Sequence, residues 1–359
     1  MKKWLKRLGW LALGLCLLIG GVVFDFLRFG GQFRELTMTA LPDCTTLPMA
    51  ASAEDIQIDR AHGVAYLSYL DRRGQIEGQP VRGTVMLIDL NAPEPRPRPA
   101  LTIDPPDFRP HGMSLYRAGD GAMRLFVISH SPVASGGVRQ EVHIFEQTPT
   151  GAFALARTVQ DPLLKKPNAI VAVSMNQFYV ANDSGADGGW QRMQEMLFRR
   201  GLSTLAYFDG TRMRAVDTGI KSASGIAASP DGSHIYVSET NGKRIRVYSR
   251  NLGNGDLSLD EIVDIGSTPD NLNVDESGRV WIAAHAKSLA LVRNFGNEKN
   301  LAPTQILRFD PAAKKETRLV QIYANPGDGI SGGAVGAAYN RSLLMGSITD
   351  RKLLRCRLP

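Results

Sequence analysis

The chain has 359 residues, 43% apolar and 21% charged, an ordinary balance for a protein that buries a substantial core. Its formal charge of +7 is unevenly spread, because residues 1–31 carry five Lys/Arg and one acidic residue. The remaining +3 is close to neutral for so long a stretch, which argues against a nucleic-acid surface.

At the N-terminus, Lys2, Lys3, Lys6 and Arg7 precede Gly9 to Phe24, sixteen uncharged residues ended by Asp25. The positive cluster is expected on the cytoplasmic side, with the rest of the chain exported. Sixteen residues fall short of the roughly 20 needed to span a bilayer, although flanking Trp and Phe extend such a segment into the interface. A cleaved signal peptide shares this pattern. However, no Ala-x-Ala site follows, and Phe24-Asp25-Phe26-Leu27-Arg28-Phe29 is bulky. Nor does Leu15 before Cys16 fit a lipidation site. The expected organisation is therefore a cytoplasmic tip and signal anchor over 1–31, a linker over 32–43 and one globular unit over 44–359. The globular unit is expected outside the cytoplasm, periplasmic or extracellular, with export after cleavage as the alternative.

After the linker, the same event recurs six times: a short polar segment feeds an alternating apolar strand. The starts are Glu54-Asp55, His111-Gly112, Asn168-Ala169, Ser224-Gly225, Asp270-Asn271 and Gly332-Gly333, spaced 57, 57, 56, 46 and 62 residues apart. Each is followed by a turn and a second apolar strand, as in Ser229-Pro230-Asp231-Gly232 before His234 to Ser238, and then by another strand pair. Four strands repeated six times predict an all-β fold, a six-bladed β-propeller. Asp71 to Pro80 is expected as a polar loop over one face, and Pro93 to Pro99, with four prolines, as a rigid surface turn. Within the third repeat, Trp190, Met193, Met196 and Leu197 fall at helical spacing and Gly201 stops the run. This predicted helix is either a lid or membrane-touching surface, or simply packed on the propeller. Cys44 and Cys356 lie at opposite ends of the globular unit. A disulfide between them would fasten the blade where the ring closes, and export would permit it; two unpaired buried cysteines are the alternative.

In a propeller the segment opening each innermost strand faces the axis, so Glu54, Asn168, Ser224, Asp270 and Asn271 are expected to meet there with His111 beside them. Singly, an Asn or Asp at a strand entrance is usually a turn former. As a set they are oxygen donors suited to a hard cation, and the mixture of donor types suits calcium better than octahedral magnesium. The six histidines show no zinc spacing.

These segments, from Cys44 to Cys356, resemble the paraoxonase family of serum arylesterases and lactonases. The resemblance rests on Ala53-Glu54-Asp55, Pro110-His111-Gly112, Ile128-Ser129-His130-Ser131-Pro132, Pro167-Asn168-Ala169, Phe178 to Asp183, Ser224 to Gly232 and Asp270 to Asp275. It implies a calcium-dependent hydrolase of carboxylic esters and lactones, with Glu54, Asn168, Asp270 and Asn271 as ligands of the catalytic ion. Ser224 stands where the family has Asn and is a shorter, weaker ligand. His111 and His130 match the family's proposed catalytic histidine pair, and Asp55 a ligand of its second, structural calcium. Ala169 replaces an Asp at that second site, so one calcium is expected. His285, after the strand ending Trp281 to Ala284, is expected to line the same axial mouth without an assigned role. Sugar lactonase or organophosphate hydrolase activity, or a non-catalytic anchored binding propeller, are the alternative functions. The expected partners are a small ester or lactone and, through the N-terminal segment, a membrane; neither nucleic acid nor an obligate protein partner is expected.

Overall fold

A computed structural model describes residues 2–359; Met1, the first residue of the predicted cytoplasmic tip, lies outside the described residues. Beyond the N-terminal helix the chain forms six four-stranded antiparallel sheets arranged as a propeller. The innermost strands are Ser52–Asp59, Pro110–Arg117, Pro167–Ala172, Ala223–Ala228, Thr268–Val274 and Gly333–Tyr339. All six predicted starts thus open the innermost strand of their blade. The last sheet is closed by Thr45–Pro48 pairing antiparallel with Lys352–Arg357, so the two ends of the globular unit share one blade.

Apolar side chains from neighbouring blades form one cluster at each of the six interfaces. Phe126, Ile128, Val142 and Ile144 of the second blade, for example, pack on Ile170, Phe178, Val180 and Phe208 of the third. The Phe126 and Phe178 ring centroids lie 5.7 Å apart, and Phe178 and Phe208 stack at 4.9 Å. At the closing interface Leu344 and Leu353 of the last blade meet Ala53, Ile56 and Leu67 of the first. Each fully buried Leu, Ile or Phe contributes roughly 1.5–3 kcal/mol relative to exposure. The ring is held mainly by these face-to-face contacts, since among the described residues the sheets stay separate and the first two blades share only a single bridge at Leu101 and Phe153.

Four helices are added. α1 (Lys2–Phe29) extends well past the sixteen uncharged residues. Its 28 residues span about 42 Å, enough to cross a bilayer. Its most apolar stretch has a mean hydropathy of 2.2, and none of it is buried in the protein. The structure therefore carries one N-terminal apolar helix with the length of a membrane span or signal anchor. α2 (Arg72–Ile76) shortens the expected loop from Asp71 to Pro80, with Asp71 accepting from the Gly74 amide as its cap. α3 (Gly189–Phe198) is the helix predicted in the third repeat. α4 (Ser288–Gly296) was not anticipated; its apolar run, Leu289 to Val292, reads equally well as a strand.

α2, α3 and α4 all lie in connections between the second and third strands of a blade, which leave from the propeller end where the innermost strands begin. The last turn of α1 docks at this same end. Asp25 pairs with Arg199 just after α3, Lys243 Nζ donates to Phe29 O at 2.6 Å, and Leu289 N donates to Gly30 O at 3.2 Å. Gly30 fits because a Cβ there would lie 2.4 Å from Leu289 Cγ.

Cys44 and Cys356 are joined by a disulfide spanning 312 residues. In the chain-entropy model, cross-linking so long a loop restricts the unfolded chain by roughly 5–6 kcal/mol. Cys44→Ser should therefore lower the melting temperature markedly, and non-reducing peptide mapping should recover the two cysteine peptides joined in wild type. Free thiols at both positions in exported protein would contradict the pairing.

Candidate metal and catalytic site

The axial residues are set by an irregularity common to all six innermost strands. Register with the second strand shifts between Ala53 and Ile56, Pro110 and Met113, Pro167 and Ala169, Ala223 and Ile226, Pro269 and Leu272, and Gly333 and Val335. A bulge bends a strand and re-aims a side chain. Here the bulged positions include Glu54, His111, Asn168, Ser224, Asp270 and Asn271. Neighbouring bulges approach so closely that a Cβ on Gly112 would sit 2.3 Å from Asn168 O, and one on Gly225 2.3 Å from Asp270 O. Glycine there is a packing requirement of the axis.

Glu54 is 3% exposed and central to the mouth. Its Oε1 accepts from Asn271 Nδ2 at 2.9 Å and lies 3.6 Å from His111 Nε2. Its Oε2 has no hydrogen-bond partner. Burial raises the Glu54 carboxyl to about 8, against the pull of Arg72 and with a further push from Asp270. Asp270 is also buried, and its Oδ2 lies 3.0 Å from His285 Nε2. Asn168 Oδ1 is a second buried oxygen without a partner. Ser224 Oγ lies 2.7 Å from Thr240 Oγ1, so its hydroxyl is partly engaged within its own blade.

His111 and His130 stand edge to face, with ring centroids 4.8 Å apart. His130 Nδ1 meets Gln140 Oε1; a carboxamide oxygen only accepts, so Nδ1 carries the proton and Nε2 is the free acceptor. Burial, then the Arg72 charge, holds His111 well below its ordinary value, and burial takes His130 down to about 4. Both imidazoles are neutral at pH 7.

Asp55 faces elsewhere. Its Oδ2 accepts from Met113 N at 2.6 Å, and its Oδ1 from Ile56 N at 2.7 Å and Gln57 Nε2 at 3.3 Å. Three donors thus occupy the carboxylate, while Ala169 offers only a methyl group. These residues do not fit a second cation.

Two groups at the mouth, Arg72 and Asp183, escaped the sequence reading as site residues, and a third, His285, was named there without a role. Arg72, in the segment expected to be a solvated loop, is buried, with NH2 3.8 Å from Glu54 Oε2. Asp183 pairs with Lys166 at 3.1 Å, leaves Oδ1 buried without a partner, and is raised by burial against Lys166 and the facing Asn168. His285 is joined to Asp270. Arg72 and Asp183 had no local signal, since both read as turn residues, and for His285 the sequence suggested the place but not the partner.

Among the described residues, no three His, Cys, Asp or Glu side chains form a metal-holding group. The axial set has two carboxylates, and its other oxygens are amides and a hydroxyl. Two oxygens of the axial set, Glu54 Oε2 and Asn168 Oδ1, are buried and unpaired, an arrangement costly by itself. Such a donor set fits a hard divalent cation. A separate cavity of about 390 Å³ opens at the other end of the axis among Gln57, Arg60, Ser114, Arg250 and Asn273; none of the axial set lines it.

A family model described as Arylesterase matches residues 37–358. Serum paraoxonase/arylesterase 1 of Rattus norvegicus is 30% identical over 329 residues, covering 89% of this chain and 90% of its own. Serum paraoxonase/lactonase 3 of Mus musculus is 28% identical over 350 residues, covering 95% and 96%. Among solved structures, a luciferin-regenerating enzyme aligns with a TM-score of 0.53 at 12% identity over 88% of this chain and 95% of its own. The calcium-binding protein regucalcin of Agrobacterium tumefaciens aligns at 0.52 with 14% identity, over 86% and 90%. At such identities these two likenesses speak for the fold alone.

The raised Glu54 has a consequence for stability. Its folded value lies above the unfolded one of 4.5. Its contribution is thus fully present below pH 4.5 and is lost as pH rises to about 8. Chelator-treated Glu54→Gln should lack this loss, so its melting temperature relative to wild type should rise between pH 5 and 8.5. A parallel pH dependence in both proteins would show that Glu54 is not held protonated.

Proposed function

The chain belongs to the arylesterase family, and on that premise we propose that its propeller hydrolyses carboxylic esters and lactones with one calcium ion at the axial mouth. The observation that carries this reading is the pair of buried, unpaired oxygens on Glu54 and Asn168, turned inward by bulges beside Asp270 and Asn271. Glu54, Asn168, Asp270 and Asn271 would hold the ion, with Ser224 a weaker fifth donor. Bound there, calcium would polarise the substrate carbonyl and stabilise the charge that develops on its oxygen. The relatives' printed names, arylesterase and lactonase, agree with such substrates.

His111 is the proposed proton acceptor for the attacking water, because burial keeps it in its free-base form at neutral pH. Its low intrinsic basicity is offset once the Glu54 carboxylate, 3.6 Å away, is ionised. His130, fixed by Gln140, presents its free nitrogen and is the proposed relay. His285 would orient Asp270. No step runs through a second ion at Asp55. In the cell, residues 1–31 are the proposed anchor and the propeller from residue 44 the extracytoplasmic hydrolase.

A panel of aryl esters and lactones, assayed with and without chelator, tests this reading. Activity should disappear on exhaustive chelation and return with calcium; full activity in metal-free protein would refute it. His111→Gln should lower kcat by about 10²–10⁴-fold, the range for losing a general base, with calcium affinity little changed. Equal turnover in that variant would leave His111 a structural residue. Ala169→Asp should add a second calcium-binding step by calorimetry where wild type has one; two steps in wild type would overturn the single-ion assignment.

A further inference from the structure

Arg72 is delivered into the mouth by a segment clamped on both sides. Asp71 pairs with Arg351 at 3.0 Å, and Arg73 NH1 donates to Asn294 O at 2.9 Å and Phe295 O at 3.0 Å. Between them Arg72 turns inward, with NH2 donating to Pro110 O at 3.0 Å. The guanidinium is thus fixed by a backbone carbonyl, and its separation from Glu54 Oε2, 3.8 Å, is too long for a hydrogen bond. It lies beside the carboxylate without satisfying it.

We infer that Arg72 is a built-in rival for Glu54, a fixed cation that weakens calcium binding at the mouth while making the ion-free mouth tolerable. This rests on the calcium reading above and concerns how tightly the ion is held. Two effects follow from one charge. Without an ion, the guanidinium offsets whatever negative charge the buried Glu54 and Asp270 carry, a charge that is otherwise costly. With the ion present, the same guanidinium stands a few ångströms from a divalent cation in a poorly solvated site, where like charges repel strongly. Removing the charge therefore moves the two properties in opposite directions. A residue that merely supported the fold would lower both together.

The test is calorimetric titration with calcium chloride of the full chain in detergent, wild type against Arg72→Met and Arg72→Lys, with melting curves of each in chelator at pH 9, where Glu54 is ionised. Arg72→Met should bind calcium at least about 10-fold more tightly and melt lower in chelator, since both follow from losing a nearby positive charge. Arg72→Lys should stay close to wild type in both. Should Arg72→Met fail to fold, Arg72→Gln keeps a donor for Pro110 O and should show the same tightening. Calcium affinity equal to or weaker than wild type in a folded neutral variant overturns this inference alone. Calcium uptake by neither wild type nor variant overturns the calcium reading with it.

Discussion

A carboxylate buried where six blades meet sets the terms for its surroundings. Glu54 is nearly inaccessible, holds one oxygen without a partner and has Asp270 close enough to push its proton affinity upward. A buried charge in that position must be neutralised by a proton, a fixed cation or a bound one. The ion-free mouth supplies the first two. Burial raises the Glu54 carboxyl to about 8, Arg72 stands 3.8 Å away, and Asn168 Oδ1 is buried without a partner.

The propeller supplies this arrangement cheaply because the ring is held from its faces and not from its axis. Six apolar clusters, one at each blade interface, carry the packing, and the disulfide and shared last blade close the circle. The innermost strands are then free to carry a bulge each. A single bulge is a local defect, whereas six at equivalent positions form a ring of side chains and carbonyls around the axis. The connections at the same end bring in α2, α3 and α4, and the end of α1 docks among them. The apolar helix is therefore joined to the end of the molecule that carries the candidate site.

The sequence by itself determined the architecture and the roster of the axial set. Six polar starters at near-equal spacing, each before an alternating strand, leave little choice of fold, because a strand period of two and a repeat near 57 residues are local properties. The pairing of Cys44 with Cys356 and the helix near Trp190 were legible for the same reason: chain position and residue spacing carry them. Tertiary structure alone decided which charges meet. Arg72 reads as a solvated loop residue until the clamps at Asp71 and Arg73 turn it inward, and His285, placed near the mouth by its strand, gains a partner only through the bulge at Asp270. Likewise, nothing in Glu54-Asp55 says that the first side chain faces the axis while three donors occupy the second. Electrostatic neighbours are set by distances across blades, 217 residues apart between Glu54 and Asn271, and no local pattern encodes a distance of 2.9 Å.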